Sequence, residues 1–268
     1  MKITQERNEE GVTRTSFEIE VAGETVPGVV WAPEGAKGPR PLVLMGHGGS
    51  QHKKTPGIRA RAQSYAQKLG YATMAIDAPG HGDRISREEA ASLARDVGAR
   101  VRGEVTAPWD PERMKQMAQR TGRAIPEWNA ALAAVQGLDF VGKGQPMGWW
   151  GVSMGTAIGV PFVAQCPQIT AAIFGLAGLR PGQSDFEAAA KKITVPVEFT
   201  FQWEDAVAER EHGIALFNAF GSAEKTMHIN PGGHMGIPNF ETPSWERFFV
   251  RHLGTAGQPA RREAAVAA

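Results

Sequence analysis

The sequence predicts an α/β fold: a mostly parallel central sheet with helices on both faces and a helical insertion. Three observations carry this. Short strand-like runs alternate with helical stretches from residue 58 onward, several of those runs read as buried, and the one long break in the alternation, residues 84–125, itself has helical composition. Parallel strands need crossovers, and right-handed crossovers use helices, so alternation implies a sheet covered on both sides.

Taken in order, residues 15–21, 26–31 and 41–45 are short β-type runs separated by turn signals, and the opening strands are expected to be antiparallel. Residues 58–69 read as a helix and 71–77 (YATMAID) as a buried strand that stops at Ala78-Pro79-Gly80-His81-Gly82. The beat resumes with a helix at 127–140, a strand at 147–151, a helix from Ser153, a strand at 170–174, a helix at 185–192 and a strand at 195–202. A helix at 208–220, a strand at 225–230 and a helix at 244–253 close the core. Residues 84–125 exceed an ordinary connection and are read as a cap-like helical insertion, with helices at 86–100 and 111–120, the second opening on Asp110-Pro111. One domain over 1–254 follows, with 255–268 as a loose tail.

Composition narrows the function. Twenty-nine basic and 28 acidic residues leave a formal charge of +1 without a basic cluster, so no nucleic-acid partner is expected. No apolar run approaches membrane-span length and residues 1–11 lack the pattern of a secretory leader, so no membrane partner is expected and the cytoplasm is the expected location. Cys166, the single cysteine, forms no internal disulfide and reads as a buried filler.

The chemistry centres on Gly151-Val152-Ser153-Met154-Gly155. In a chain with 32 glycines and nine serines roughly 0.13 accidental matches to Gly-x-Ser-x-Gly are expected, so context must decide. Here the motif follows an apolar strand and opens a helix, the arrangement that holds a serine in a sharp elbow, where a Cβ at either glycine would collide. A neutral hydroxyl is a weak nucleophile and needs a base, whose tautomer a third group must fix. His234, in the glycine-rich loop 231–236 after the last strand, is the expected base. The acid is expected after strand 195–202, where Glu204 and Asp205 compete. Asp205 is preferred, as the family resemblance set out below implies: an aspartate three residues past the strand end, followed closely by a branched apolar residue, here Val207. The order Ser153, Asp205, His234 is the one this fold class requires. A developing oxyanion needs backbone donors: Met154 is one, and Gly49 in His47-Gly48-Gly49-Ser50 is preferred over Gly48 as the other.

HGGS, DAPGHGD, GVSMG, WED and GGHMG, in that order across residues 46–236, resemble the α/β-hydrolase superfamily, and the branch is similar to dienelactone-hydrolase-like serine esterases. The resemblance implies the α/β-hydrolase fold and hydrolysis of a small-molecule carboxylic ester through an acyl-enzyme, without a cofactor. Two departures stand out: dienelactone hydrolases proper carry a cysteine nucleophile where Ser153 stands, and Gln202 occupies a place where glycine is common. An acyltransferase or cofactor-free lyase on the same fold is the alternative, and a non-catalytic ligand-binding module a further one.

Other polar residues take plainer readings. No metal is expected: His47, His52, His81 and Asp83 end two different strands, and His47 reads as a shaper of its loop. His228 and His252 read as surface residues of a strand and a helix end. The insertion's arginines (Arg84, Arg87, Arg95, Arg100, Arg102, Arg113, Arg120, Arg123) read mostly as solvated, and Trp109, Met114, Met117 and Trp128 as packing or pocket residues.

Overall fold

Two reverse turns start the sheet. Strand β1 (Lys2–Glu9) turns through Glu10-Gly11 into β2 (Val12–Val21), which turns through Ala22-Gly23 into β3 (Glu24–Pro33). All four turn residues have positive φ (53°, 76°, 51° and 81°), the signature of primed two-residue hairpins whose twist matches that of the strands. The computed structural model describes residues 1–105, 107 and 110–255, with 111 and 114 described in backbone only. Strand β1 is not anticipated by the sequence. It is exposed along nearly its whole length, so it carries no apolar alternation and joins the sheet edge through backbone pairing to β2.

The remaining strands are β4 (Leu42–Gly46), β5 (Ala72–Ile76), β6 (Met147–Gly151), β7 (Ile169–Gly175), β8 (Val197–Gln202) and β9 (Lys225–Asn230). They form one nine-stranded sheet in the order β1-β2-β3-β5-β4-β6-β7-β8-β9. Pairing is antiparallel from β1 to β5 and parallel from there to β9. Antiparallel pairing among the opening strands therefore holds for β1 to β3 only. Strand β4, which contains the run at 41–45, is parallel to both neighbours because a helical crossover joins it to β5.

Helix α1 (Pro56–Ser64), extended by a π-helical turn at Tyr65–Leu69, and α7 (Glu241–Leu253) cover one face of the sheet. Helices α3 (Pro111–Val135), α4 (Met154–Val163), α5 (Ser184–Lys192) and α6 (Arg210–Ala219) cover the other. Period-two alternation divides each central strand between the two cores: Leu42, Leu44 and Trp149 face the α3–α4 layer, while Val43, Met45 and Trp150 face α1 and α7. Trp149 packs edge-on against Trp128, ring centroids 4.9 Å apart, and Trp150 against Trp245 at 5.5 Å.

The insertion contains α2 (Arg87–Val101), which opens on a complete capping box between Ser86 and Glu89. It does not end before a separate core helix. Helix α3 runs unbroken through Pro126, so the expected helices at 111–120 and 127–140 are one element that stops at Val135. Its buried stripe, Ala124, Trp128, Ala131, Leu132 and Val135, has helical spacing, and packing of that stripe outweighs the local cost of the proline. Arg84 anchors this helix: its guanidinium donates to both carboxylate oxygens of Glu127, at 2.7 and 2.9 Å, and to Glu24 at 2.7 Å. The solvated reading of Arg84 is thus corrected, since its side chain is 6% exposed. Residues 256–268, most of the expected tail, and Trp109 lie outside the described residues, as does the Met114 side chain. Among the described residues no helix is long and apolar enough to cross a membrane.

Candidate active site

The carboxyl ends of β4, β6, β8 and β9 meet along one edge of the sheet, and each delivers a loop there. At the end of β6 the chain reverses within one residue. Ser153 sits at φ 57°, ψ −120°, a conformation that L-residues avoid, and α4 starts immediately after it. The turn is tight enough that a Cβ on Gly151 would lie 2.7 Å from the Gly155 carbonyl oxygen, and one on Gly155 would lie 2.4 Å from that of Gly46. Two hydrogen bonds tie the strained residue to β7: the Ser153 amide donates to the Gly175 carbonyl at 2.8 Å, and the Gly175 amide donates to the Thr156 hydroxyl at 2.9 Å. The surrounding framework, rather than local preference, holds the hydroxyl outward.

His234 reaches this hydroxyl from the loop after β9. Its Nε2 is 3.0 Å from Ser153 Oγ, and its Nδ1 is 2.7 Å from Asp205 Oδ2. The second oxygen of Asp205 accepts the amides of Val207 and Ala208 at 2.8 and 2.9 Å. With three donors on it and no solvent exposure of its side chain, Asp205 is held in one orientation as an acceptor. It leaves His234 Nδ1 as the donor and Nε2 as the acceptor that faces the Ser153 hydroxyl. Glu204 points elsewhere: it is exposed, and its carboxylate takes the Gly232 amide in a short hydrogen bond. That bond shapes the loop that carries His234. Gln202, fully buried, adds a hydrogen bond from Nε2 to the Pro231 carbonyl at 3.3 Å, so a side chain at the position where glycine is common braces the same loop.

The glycine-rich loop after β4 is shaped by polar side chains. The Gly48 amide donates to Gln51 Oε1 at 3.2 Å and is thereby occupied. Among the described residues, the amides of Gly49 and Met154 make no hydrogen bond within the chain, and both residues line the cleft beside Ser153. His47 bridges two loops: the Ala78 amide donates to its Nε2 at 3.1 Å, and its Nδ1–H donates to the Gly48 carbonyl at 2.9 Å. Burial lowers the His47 pKa to about 4, so the ring stays neutral in this bridge.

The expectation that His47 and His81 diverge is corrected. Strands β4 and β5 are neighbours, and the two rings lie 5.4 Å apart. Both His47 nitrogens are committed to backbone, and His81 Nδ1–H donates to the Pro79 carbonyl at 3.1 Å. Beneath them lies a residue that sequence reasoning missed. Lys53, 2% exposed, donates from Nζ to Asp77 and Asp83, both at 2.5 Å, and from its amide to Asp77 at 2.8 Å. This hydrogen bond, ahead of the other causes, holds the Asp83 carboxyl below its usual range. A lone lysine in an HKK run gives no periodic signal of burial.

The cleft over Ser153 has a volume of about 1830 Å³. Leu93 and Val97 of α2, Met117 and Ile125 of α3, Trp150 and Ile237 are among the residues that line it. Arg61 enters from α1 with its guanidinium 3.7 Å above the Trp150 ring, and burial lowers its pKa to about 10. The arrangement brings together a positioned hydroxyl, an imidazole within reach of it, a buried carboxylate that orients the imidazole, two unoccupied amides and a large, mainly apolar space.

No protein-family model matches the chain, and no curated protein matches it. Among solved structures, the polyethylene-glycol-bound complex of a cold-adapted esterase from an Arctic intertidal metagenomic library is 33% identical. That alignment covers 94% of this chain and 100% of that one, with a TM-score of 0.78. An acetyl xylan esterase from Paenibacillus sp. R4 is 17% identical, covering 94% of this chain and 88% of that one, TM-score 0.70. A dienelactone hydrolase from Anabaena variabilis is 18% identical, covering 91% of this chain and 100% of that one, TM-score 0.59. The last two likenesses speak to the fold alone.

Proposed function

The chain belongs to the α/β-hydrolase superfamily, and from that membership we propose that it is a serine esterase of the dienelactone-hydrolase-like branch, with Ser153, His234 and Asp205 as its triad. The observation that carries this reading is the unbroken hydrogen-bonded chain from Ser153 Oγ through His234 to Asp205, at 3.0 and 2.7 Å. The likeness in identity and coverage to an esterase adds the substrate class, a small-molecule carboxylic ester.

In this mechanism Ser153 Oγ attacks the ester carbonyl while His234 Nε2 takes its proton. The carbonyl oxygen becomes an oxyanion and is received by the amides of Met154 and Gly49, each donor worth on the order of 3 kcal/mol in the transition state. The imidazolium, stabilised by Asp205, then protonates the departing alkoxide, and the alcohol leaves an acyl group on Ser153. Water enters, loses a proton to His234 and attacks the acyl carbon. Collapse of the second tetrahedral intermediate returns the proton to Ser153 and releases the carboxylic acid. The apolar side chains that α2 and α3 contribute to the cleft, Leu93, Val97, Met117 and Ile125, suit an uncharged acyl or alcohol portion.

A fluorophosphonate probe together with a series of p-nitrophenyl esters of increasing acyl length tests the reading. One covalent adduct per chain is expected, absent in Ser153→Ala, with saturable turnover on at least one ester. No turnover across the series, or an adduct that persists in Ser153→Ala, defeats it.

A further inference from the structure

Away from Ser153, on the α7 side of the sheet, a second group of polar side chains meets under cover. Residues 198, 200 and 202 of β8 and 226, 228 and 230 of β9 point to one face, because Glu198 pairs with Thr226 and Thr200 with His228. Helix α7 packs on that face, with Trp245 Nε1–H donating to Thr200 Oγ1 at 3.1 Å. Its first residue, Glu241, is 2% exposed and accepts from Asn230 Nδ2 at 2.7 Å on one oxygen. The other oxygen faces His228 Nδ1 at 2.8 Å.

The third carboxylate atom is what distinguishes this cluster from an ordinary polar network. Glu198 is 5% exposed, and its Oε1 has no hydrogen-bond partner. That oxygen is aimed at the same nitrogen, His228 Nδ1, from 3.8 Å. A buried carboxylate oxygen without a donor is costly, and the groups facing Glu198 from α7, Ser244 and Arg247, do not satisfy this atom.

We infer that Glu198, His228 and Glu241 form a binding site for a divalent transition cation, with zinc as the fitting ion. The three ligand atoms lie within 4.8 Å of one another. A tetrahedral zinc with bonds of about 2.0–2.1 Å sets its ligands roughly 3.3 Å apart, so the widest pair closes by up to about 1.5 Å while the His228–Glu241 pair opens by about half an ångström, with a fourth position left for water. One imidazole beside two carboxylates favours zinc over calcium or magnesium, which select oxygen-only shells. A dication also compensates two carboxylates that the fold has removed from solvent. The His228 side chain is 33% exposed on the last strand, which gives the ion an entry path.

The site is structural in its effect. Residues 231–240, which carry His234, leave the sheet at Asn230 and return at Glu241, and Glu198 lies on the strand that leads to Asp205. A cation held here clamps β8, β9 and the start of α7 around the base of that loop, stabilising the folded chain without touching Ser153.

Calorimetric titration of the EDTA-stripped full chain with zinc chloride tests the inference. One zinc per chain is expected, with melting raised by roughly 5 °C or more when zinc is at about 100 times Kd. Glu198→Gln and His228→Asn should each weaken binding at least tenfold, while His234→Ala binds as the parent does. No binding overturns the inference, as does binding that both variants keep or that His234→Ala removes, the last placing zinc on the triad. If Glu198→Gln does not fold, His228→Asn on the partly exposed edge decides alone.

Discussion

The Ala78 amide donates to His47 Nε2 at 3.1 Å, joining the end of β5 to the glycine-rich loop after β4 through one buried, neutral ring. This bridge fixes where the loop amides point.

It also has a pH signature. The His47 pKa is about 4 in the folded chain, lowered chiefly by burial, against the ordinary histidine value of about 6.5 when unfolded. Above the unfolded value both states are neutral and nothing is lost. Below it the unfolded chain takes up a proton that the folded chain refuses, so stability falls as pH drops from about 6.5 towards 4, by up to roughly 3 kcal/mol from this residue. Urea denaturation at pH 7 and pH 4.5 measures this. His47→Gln should show a smaller acid-induced loss than the parent, and an equal loss would assign the effect elsewhere.

Replacing the triad acid should separate two adjacent carboxylates. Asp205→Asn removes the charge beside His234 Nδ1 and is expected to lower kcat/KM by on the order of 10⁴. Glu204→Gln keeps an acceptor for the Gly232 amide and should change it by less than about tenfold. Steady-state kinetics on one ester checks both, and comparable losses would contradict the assignment of Asp205.

Strain at Ser153 should be visible once its hydroxyl is gone. Ser153→Ala and Ser153→Gly are both expected to lose at least about 10⁴-fold in kcat. At φ 57° glycine is relieved of a conformational cost of about 1–3 kcal/mol, partly offset by its looser unfolded state. Ser153→Gly should therefore be the more stable of the two by about 1 kcal/mol in chemical denaturation. A more stable Ser153→Ala would mean that the elbow is not strained.

The Arg84–Glu127 pair binds the insertion to the core with both side chains almost fully buried. Glu127→Gln leaves the guanidinium with one carboxylate partner, the exposed Glu24, beside the Asp77 carbonyl, and should cost about 3 kcal/mol, or roughly 6–12 °C in melting temperature. Thermal unfolding monitored by circular dichroism measures it. A shift under about 2 °C would show that solvent replaces the lost contact.

Much of this architecture is written in local patterns. Strands β4 to β7 read as apolar runs because their side chains meet a core on both faces, and Gly151 and Gly155 mark the elbow because backbone passes too close for a Cβ. Strand β1 gave no such signal, since an edge strand exposed on both faces is held by backbone pairing and polar side-chain contacts, which need no apolar alternation. Helix α3 was legible only as two pieces, because Pro126 interrupts the local propensity that long-range packing restores.

The sequence by itself determined which loops bring the proposed catalytic groups and in what order: Ser153 after β6, a carboxylate after β8, His234 after β9. Choices between adjacent atoms belonged to the tertiary structure. Asp205 rather than Glu204 reaches His234 because the amides of Val207 and Ala208 hold its other oxygen, and Gly49 rather than Gly48 keeps an unoccupied amide because Gln51 takes its neighbour's. The grouping of Glu198, His228 and Glu241 likewise exists only once β8, β9 and α7 are packed. Spacing along a chain sets the direction from which a side chain arrives, but hydrogen bonds from distant segments decide where its atoms come to rest.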